Sequence, residues 1–478
     1  MNSPKYKFFR FFASLKLAIL VLVGLAVSLA IGTIIESRFD TATAQYFVYR
    51  AFWFRFVLLM LGVNLFAVMV DRWPWKLRHT PFLLAHIGIL VLLSGAWLTD
   101  RFGLDGSMRV TEGETSAFVD LDQLLLVVSD PKGTETFPVK WQPPGVGFSA
   151  FSVQPERIPV KLTIDQFMSH ADPDFQFVPE EKPVAERGGE PRPAIKVRLS
   201  GGPMQIRQDF WLWTGQAAWS MVQAGPAWLS FGDAQLLEAG MPKAGPRLIL
   251  TPSKDGSVSY TAVSSSNERR KGRFTAGRIA GQPIDSGWKM VKLEFVEYVP
   301  DARLVTSYKP SHAQYGDQAS PSAIHLSAGE GASKAETWLG LGDRAALRLA
   351  GQEVEIGFFR RRVMLPFAIR LDRFTIERYE GSMRPMSYAS QVTVVDPRLP
   401  ENAHPKVEIS MNEPLRFNGF SVYQASYEDA MPRPTVSIFS VNQDPGRAWK
   451  YTGSILLVLG TILLFAMKLR QKKKASSV

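Results

Sequence analysis

The 478-residue chain contains no cysteine. That excludes disulfides, thiolate-bound zinc, iron–sulfur clusters, CxxC redox pairs and thioether-linked cofactors. It leaves the compartment open, because a large outward-facing domain can be built without disulfides. The usual catalytic signatures are missing too: there is no HExxH, no GxSxG, no P-loop and no GxGxxG following a strand. Acidic residues are plentiful but no pair is singled out by its spacing, so the chain does not read as a self-contained enzyme. Most of the chain also lacks any excess of charge. The net +11 is accounted for by Lys5, Lys7, Arg10 and Lys16, by the segment Asp71–Arg78, and by Lys468, Arg470, Lys472, Lys473 and Lys474. Such short basic segments beside apolar runs are an orientation signal for a membrane protein. They do not form a nucleic-acid surface, and no nucleic-acid partner is expected.

What is present is a sharp partition. Leu17–Ile35 is nineteen residues with nothing more polar than Ser28 and Thr33, enough at about 1.5 Å per residue to cross a bilayer core of about 30 Å. Phe56–Val70, extended by Ala51–Phe54 across Arg55, is a second span, Pro81–Leu98 a third, and Ile455–Met467, extended back to Tyr451, a fourth. A cleaved signal peptide ending near Ala26-Val27-Ser28 is the alternative for the first run, but the apolar stretch continues seven residues beyond that point. The expected fold class is an integral membrane protein with four transmembrane α-helices, three N-terminal and one C-terminal, and a large mainly-β extracytoplasmic domain. The expected organisation is 1–98 as a membrane region, 99–450 as the β-rich domain, and 451–478 as the last helix with a basic tail. The charge pattern places both termini in the cytoplasm. Trp53, Trp73, Trp75, Trp97 and Trp449 fall at the span ends, as interfacial aromatics do.

Between residues 99 and 450 the apolar pattern has period two, as in Met290–Phe295, Ala194–Leu199, Glu353–Ile356 and Pro434–Phe439, which predicts half-buried antiparallel strands. Val178–Pro193, Pro252–Arg273 and Ser311–Glu336 read as exposed loops. Ile158–Phe167 aligns without gaps with Leu365–Phe374, sharing Pro, Asp and Phe, and two similar lobes would explain this.

The histidines are His79, His86, His170, His312, His325 and His404. All except His86 lie in loops or in the β domain. His86 sits inside the third span, about 7–8 Å from its cytoplasmic end, where a polar ring is costly without a partner or ligand. It reads either as a hydrogen-bonded packing residue or as a ligand to metal, haem or a proton path. Asn64 lies at similar depth in the second span. It could bond the second imidazole nitrogen and set its tautomer, or bond a backbone carbonyl of a neighbouring helix. Ala85, Gly88 and Gly95 form a small-residue stripe suited to the close approach of a helix whose identity the pattern leaves open.

Several stretches carry a resemblance. They are Ser14-Leu15-Lys16-Leu17 and Ile31–Ile35 around the first span, Arg72-Trp73-Pro74, Ala85-His86-Ile87-Gly88 and Leu93-Ser94-Gly95-Ala96, followed by Asp105-Gly106-Ser107-Met108 and Glu112-Gly113-Glu114. The last are Met411–Leu415, Phe417-Asn418-Gly419-Phe420 and Tyr423–Tyr427. With the span order, these are similar to the ResB (CcsB) family of System II cytochrome c biogenesis proteins. The similarity is vague over about residues 170–350. The resemblance implies a CcsA-type multispan partner, with which such proteins carry haem across the inner (cytoplasmic) membrane and present it to apocytochrome c. It further implies that His86 is one of two axial ligands to a transient haem b shared with that partner, with Asn64 as its neighbour, in a haem synthase complex that this chain alone would not constitute. It implies a structural or docking role for Asn412–Tyr427. The competing reading is a membrane-anchored scaffold whose outer domain binds a partner and which has no haem ligand of its own.

Overall fold

The computed structural model describes residues 9–181, 184–201, 206–234, 237, 241, 245–275, 277–288, 291–311, 320–329, 334–382, 384–428 and 435–475. His312 lies outside the described residues. Four helices are long and apolar enough to cross a membrane: α1 (Leu15–Arg38), α2 (Phe52–Asp71), α3 (Thr80–Phe102) and α4 (Arg447–Ala475). Many of their large apolar side chains, such as Ile19, Leu20, Phe56, Ile455 and Ile462, are exposed, as lipid-facing residues must be. The chain is a membrane protein with a large extramembrane β-rich region. Helices α3 and α4 run past the apolar segments at the β-domain end, taking in Thr99–Phe102 and Arg447–Lys450, because a helix can continue in polar surroundings once its apolar part has ended.

The antiparallel pair α3–α4 is built on glycine. A Cβ on Gly88 would lie 2.6 Å from Leu457 N and 2.7 Å from Gly453 O; one on Gly453, 2.6 Å from Gly88 O and from Leu92 N; one on Gly460, 2.6 Å from Ala85 N. Gly446, Gly453 and Gly460 recur every seven residues against Gly95, Gly88 and Ala85. The stripe in the third span therefore receives the chain's own last helix, backbone against backbone.

The chain divides into two compact units, Met1–Asp172 with Pro310–Val478, and Pro173–Lys309. The boundary thus falls within residues 99–450, and the helices share a unit with the sheets that flank them in sequence. The first unit is organised by a ten-stranded sheet made of β1 (Leu104–Thr111), β2 (Thr115–Asp130), β3 (Gly133–Val139), β19 (Arg344–Leu349), β20 (Gln352–Arg378), β21 (Pro385–Val395), β22 (Lys406–Ser410), β23 (Leu415–Phe417), β24 (Phe420–Glu428) and β25 (Val436–Gln443). Its main path is β22-β21-β20-β2-β1-β25-β24-β23, with β3 on β2 and β19 on β20. Strand β1 follows α3 directly and β25 leads into α4, so the middle of the sheet stands on the glycine-packed helix pair.

Strand β20 serves two cores. Val354, Ile356 and Phe358 point into one, and Leu365, Phe367, Ile369 and Leu371 into another. The parity switches between Phe358 and Leu365, where the pairing with β2 also slips between Asp120 and Leu124. An irregularity of this kind sends the apolar side chains to the opposite face. Arg360 and Arg362 at this point pair with Asp122 and Asp120. The core that takes Val354, Ile356 and Phe358 is completed by a four-stranded sheet of β4 (Phe151–Val153), β5 (Leu162–Met168), β17 (Ala323–Ala328) and β18 (Ala335–Gly340), in the order β18-β17-β5-β4. The two similar decapeptides therefore lie in different sheets of one unit, one leading into β5 and the other within β20. Leu162 and Ile164 are as fully buried as their counterparts Ile369 and Leu371.

The second unit holds β6 (Ala171–Pro179) paired with β16 (Ala302–Pro310). It also holds a four-stranded sheet, β14-β15-β7-β8, from β7 (Ala194–Gly201), β8 (Ile206–Trp213), β14 (Pro283–Ile284) and β15 (Val291–Val299). A five-stranded sheet, β13-β12-β11-β10-β9, comes from β9 (Met221–Ala224), β10 (Ala227–Phe231), β11 (Arg247–Pro252), β12 (Val258–Val263) and β13 (Arg269–Phe274). Its core joins Ile195, Val197 and Phe295 to Leu229, Leu248 and Tyr260.

The alternating runs expected to be strands correspond to β7, β15, β20 and β25. Two of the expected loops are corrected. Pro252–Arg273 contains the hairpin β12–β13, with Arg269–Lys271 in a strand, and Ser311–Glu336 contains β17, whose Ala323, Ile324, Leu326 and Ala328 are fully buried. Small and polar residues in both segments hide the alternation. The expectation of antiparallel pairing is corrected at β10–β11, which pair in parallel.

Candidate functional site

His86 lies on α3, one residue past the Ala85 that receives Gly460. Its Nδ1–H donates to Phe82 O, 2.9 Å away and one turn earlier. Its ring stacks on Phe82 with centroids 3.8 Å apart, and the Arg72 guanidinium covers Phe82 at 3.8 Å. A carbonyl can only accept, so this bond fixes the Nδ1–H tautomer and leaves the lone pair on Nε2. Among the described residues no hydrogen bond engages Nε2. This is the donor arrangement of a ligating imidazole, whose second nitrogen is anchored while the first is free to coordinate. The residues present therefore fit one axial haem ligand from this chain.

Asn64 makes no described hydrogen bond to that ring; of the two expectations, the bond to backbone carbonyls is the one seen. Its amide, 3% exposed, donates to Phe12 O at 2.6 Å and Ser14 O at 3.3 Å. Ser14 in turn caps α1 by accepting from Leu17 N–H at 3.2 Å. Asn64 thus ties the start of α1 to α2. The remaining described histidines have structural partners. His170 uses both ring nitrogens, on Ser320 O and on Asp40 Oδ2, each at 3.1 Å. His325 bonds Asp165 at 2.6 Å and packs on Trp338. His404 bonds Asp396 O at 3.2 Å, and His79 lies against Lys76 N and Arg78.

A second feature, not singled out from the sequence, is a cleft of about 490 Å³ at the β-domain end of α3 and α4. Cross-strand register builds it. Asp105 on β1 faces Asn442 on β25, which faces Ser421 on β24, which faces Arg416 on β23. The next row on the same face is Ser107, Ser440 and Tyr423. The opposite face of these strands, with Met108, Val441 and Val422, is core. The Asn418-Gly419 turn makes this possible: both residues have positive φ, 48° and 80°. That is the two-residue hairpin geometry that sets Phe417 against Phe420 and Arg416 against Ser421.

From the helix side, Arg447 donates to Ser421 Oγ at 3.0 Å. Asp444 is held by Lys450 Nζ at 2.6 Å and by Thr99 Oγ1 at 2.6 Å. Burial pushes the Asp444 carboxyl up, but the hydrogen bonds from Lys450 and Thr99 outweigh it and leave it below the ordinary value. Asp105 goes the other way: burial and then the nearby Asp122 raise it, against the pull of Arg50. The sequence signals were Asp105-Gly106-Ser107-Met108 and the 411–427 stretch, whose members converge here.

Comparison with known proteins finds a family model described as "ResB-like family" matching residues 342–438, which span β19 to the start of β25 and include Arg416 and Tyr423. A curated relative, Protein NrfI of Wolinella succinogenes, is 23% identical over 459 residues, covering 96% of this chain and 34% of that protein. The chain therefore spans about a third of the length of the curated relative it matches. The chain is thus similar to the ResB-like family over residues 342–438 and to NrfI along nearly its own whole length.

Proposed function

We propose that this chain is a membrane-bound cytochrome c assembly protein. With a CcsA-type multispan partner it carries haem across the cytoplasmic membrane and presents it to apocytochrome c on the side of the β domain. The observation that carries the reading is His86, an imidazole inside a membrane-spanning helix with Nδ1 anchored on Phe82 O and Nε2 without a hydrogen bond among the described residues. The ResB-like match over residues 342–438 supports the assignment to cytochrome c biogenesis.

In this reading His86 supplies one axial ligand and the partner the other, so the haem pocket is complete only in the complex. Haem itself supplies the group to which the apocytochrome thiols become attached. The protein's contribution is to hold and orient it. The Phe82 carbonyl and ring fix the imidazole, and α4, packed against the neighbouring face of α3, keeps that helix rigid. The basic segments beside the apolar runs support a topology with His86 near the cytoplasmic side and the β domain outside.

The test is a visible spectrum of the purified complex, wild type against His86→Ala, repeated with imidazole in the medium. Loss of the reduced b-type bands in the variant, restored by imidazole, is expected. An unchanged spectrum would favour the scaffold reading, in which the stack of His86 on Phe82 is packing alone.

A further inference from the structure

We propose that the cleft between β1, β23–β25 and the start of α4 is a binding site for the oxyanion headgroup of an amphiphile. The headgroup would be a carboxylate or phosphate whose apolar body lies beside the helices. The polar face of the sheet meets the first turn of α4 there, and the charges do not cancel. Arg416 is exposed and has no carboxylate partner among the described residues. The described hydrogen bond of Arg447 goes to a neutral hydroxyl, Ser421 Oγ. The acid closest to hand, Asp444, is already committed to Lys450 and Thr99. Asp105, the other carboxyl in the cleft, stands on β1, three strands away from Arg416 on β23, and makes no described hydrogen bond to either arginine. Two guanidiniums that share a cleft, neither of them hydrogen-bonded to a carboxylate among the described residues, offer the forked donors that carboxylates and phosphates take up.

The position specifies an amphiphile rather than a free anion. Trp449 and Tyr451 are 51% and 65% exposed on the first turns of a membrane-spanning helix. Aromatics of this kind mark the headgroup level of a bilayer. A ligand with its oxyanion between Arg416 and Arg447 has its other end at the apolar flank of α4. His86 is sixteen residues from the β-domain end of α3, about 24 Å along the helix axis, so the cleft is a station separate from the imidazole. Two sources carry the required chemistry: the propionates of haem and the phosphate of a phospholipid. The haem source rests on the proposed function and the lipid source does not.

The experiment uses the full chain in detergent on a His86→Ala background, which removes the other haem position. Haem is compared with its dimethyl ester, followed by absorbance and tryptophan quenching. Phosphatidylglycerol is compared with diacylglycerol, followed by native mass spectrometry. Each pair is measured with the parent, Arg416→Gln, Arg447→Gln and the double variant. Arg416→Gln alters an exposed side chain and keeps the test valid should Arg447→Gln misfold.

At least one oxyanion probe should bind, its masked or headless analogue binding at least about tenfold more weakly. Each substitution should cost about a further tenfold and the double variant about a hundredfold, as expected for charge-assisted hydrogen bonds. Response of the haem pair identifies haem as the source, and response of the lipid pair identifies lipid. If neither pair discriminates, or the double variant binds as tightly as its parent, the proposal is overturned. A wild-type spectrum unchanged by His86→Ala, with the arginine effects intact, would instead overturn the haem-ligand reading and leave this site standing.

Discussion

Replacing Gly453 by alanine tests the packing that joins the third and fourth membrane helices. The new Cβ would lie 2.6 Å from both Gly88 O and Leu92 N, where ordinary contact begins at 3.4 Å. Both obstacles are backbone atoms of α3 and cannot rotate away, so the helices must separate by about 0.8 Å at that point, opening the seam along its length. Overpacking of this kind costs about 1–3 kcal/mol. Gly24 on α1 is the control, since its added Cβ meets nothing within 4 Å. Gly24→Ala should gain up to about 1 kcal/mol in helix propensity. Gly453 lies in a helix too, so the propensity gain is common to both and the variants should differ by the overpacking cost, about 1–3 kcal/mol. In a detergent thermal-stability assay at one scan rate this is a gap of about 2–6 °C. Gly88→Ala should behave as Gly453→Ala does, because the same two backbones collide. Equal stability of Gly453→Ala and Gly24→Ala would refute the close approach of α3 to α4.

Asn64→Ala removes the donors to Phe12 O and Ser14 O and should cost about 1–3 kcal/mol, read as faster proteolysis before Leu15; unchanged cleavage would show that the tie is dispensable. Gly419→Val places a β-branched residue at φ 80° and should destabilise the β23–β24 hairpin by about 1–2 kcal/mol, lowering the thermal midpoint. Asp444→Ala removes the carboxylate that Lys450 pairs with and leaves Thr99 only Gly95 O as acceptor; it should cost about 1–2 kcal/mol after allowance for partial exposure, whereas Asp444→Asn should retain the Thr99 bond and lose less. Asp396 is held down to about 2, chiefly by the Arg398 side chain and then by its backbone N–H. Its contribution is complete above the ordinary carboxylate value of 3.8 and is lost as pH falls toward 2. The stability gap between wild type and Asp396→Asn should therefore close over that window, and a pH-independent gap would contradict the pairing.

The features legible in the chain are those carried by local pattern. Apolar runs mark the helices that can span a membrane, since about twenty such residues are what a bilayer core requires. Alternation marks β7, β15, β20 and β25, because one buried face demands period two. Asn418-Gly419 marks a tight hairpin, because both residues tolerate positive φ. His86 stands out because an ionisable ring in an apolar run needs a reason.

The rest depends on partners far away in the chain, which no periodicity encodes. The stripe of Ala85, Gly88 and Gly95 announces a close neighbour, but only the fold shows that it is α4, more than 350 residues later. Asn64 needed an acceptor at its depth, and the chain supplied Phe12 and Ser14 rather than His86. The cleft assembles Asp105, Arg416, Asn442 and Arg447 through the strand order β1-β25-β24-β23, which no local pattern specifies. A side chain's burial is written in its immediate neighbours, whereas the identity of what buries or faces it is decided by which distant segments the whole sheet and helix pair bring together.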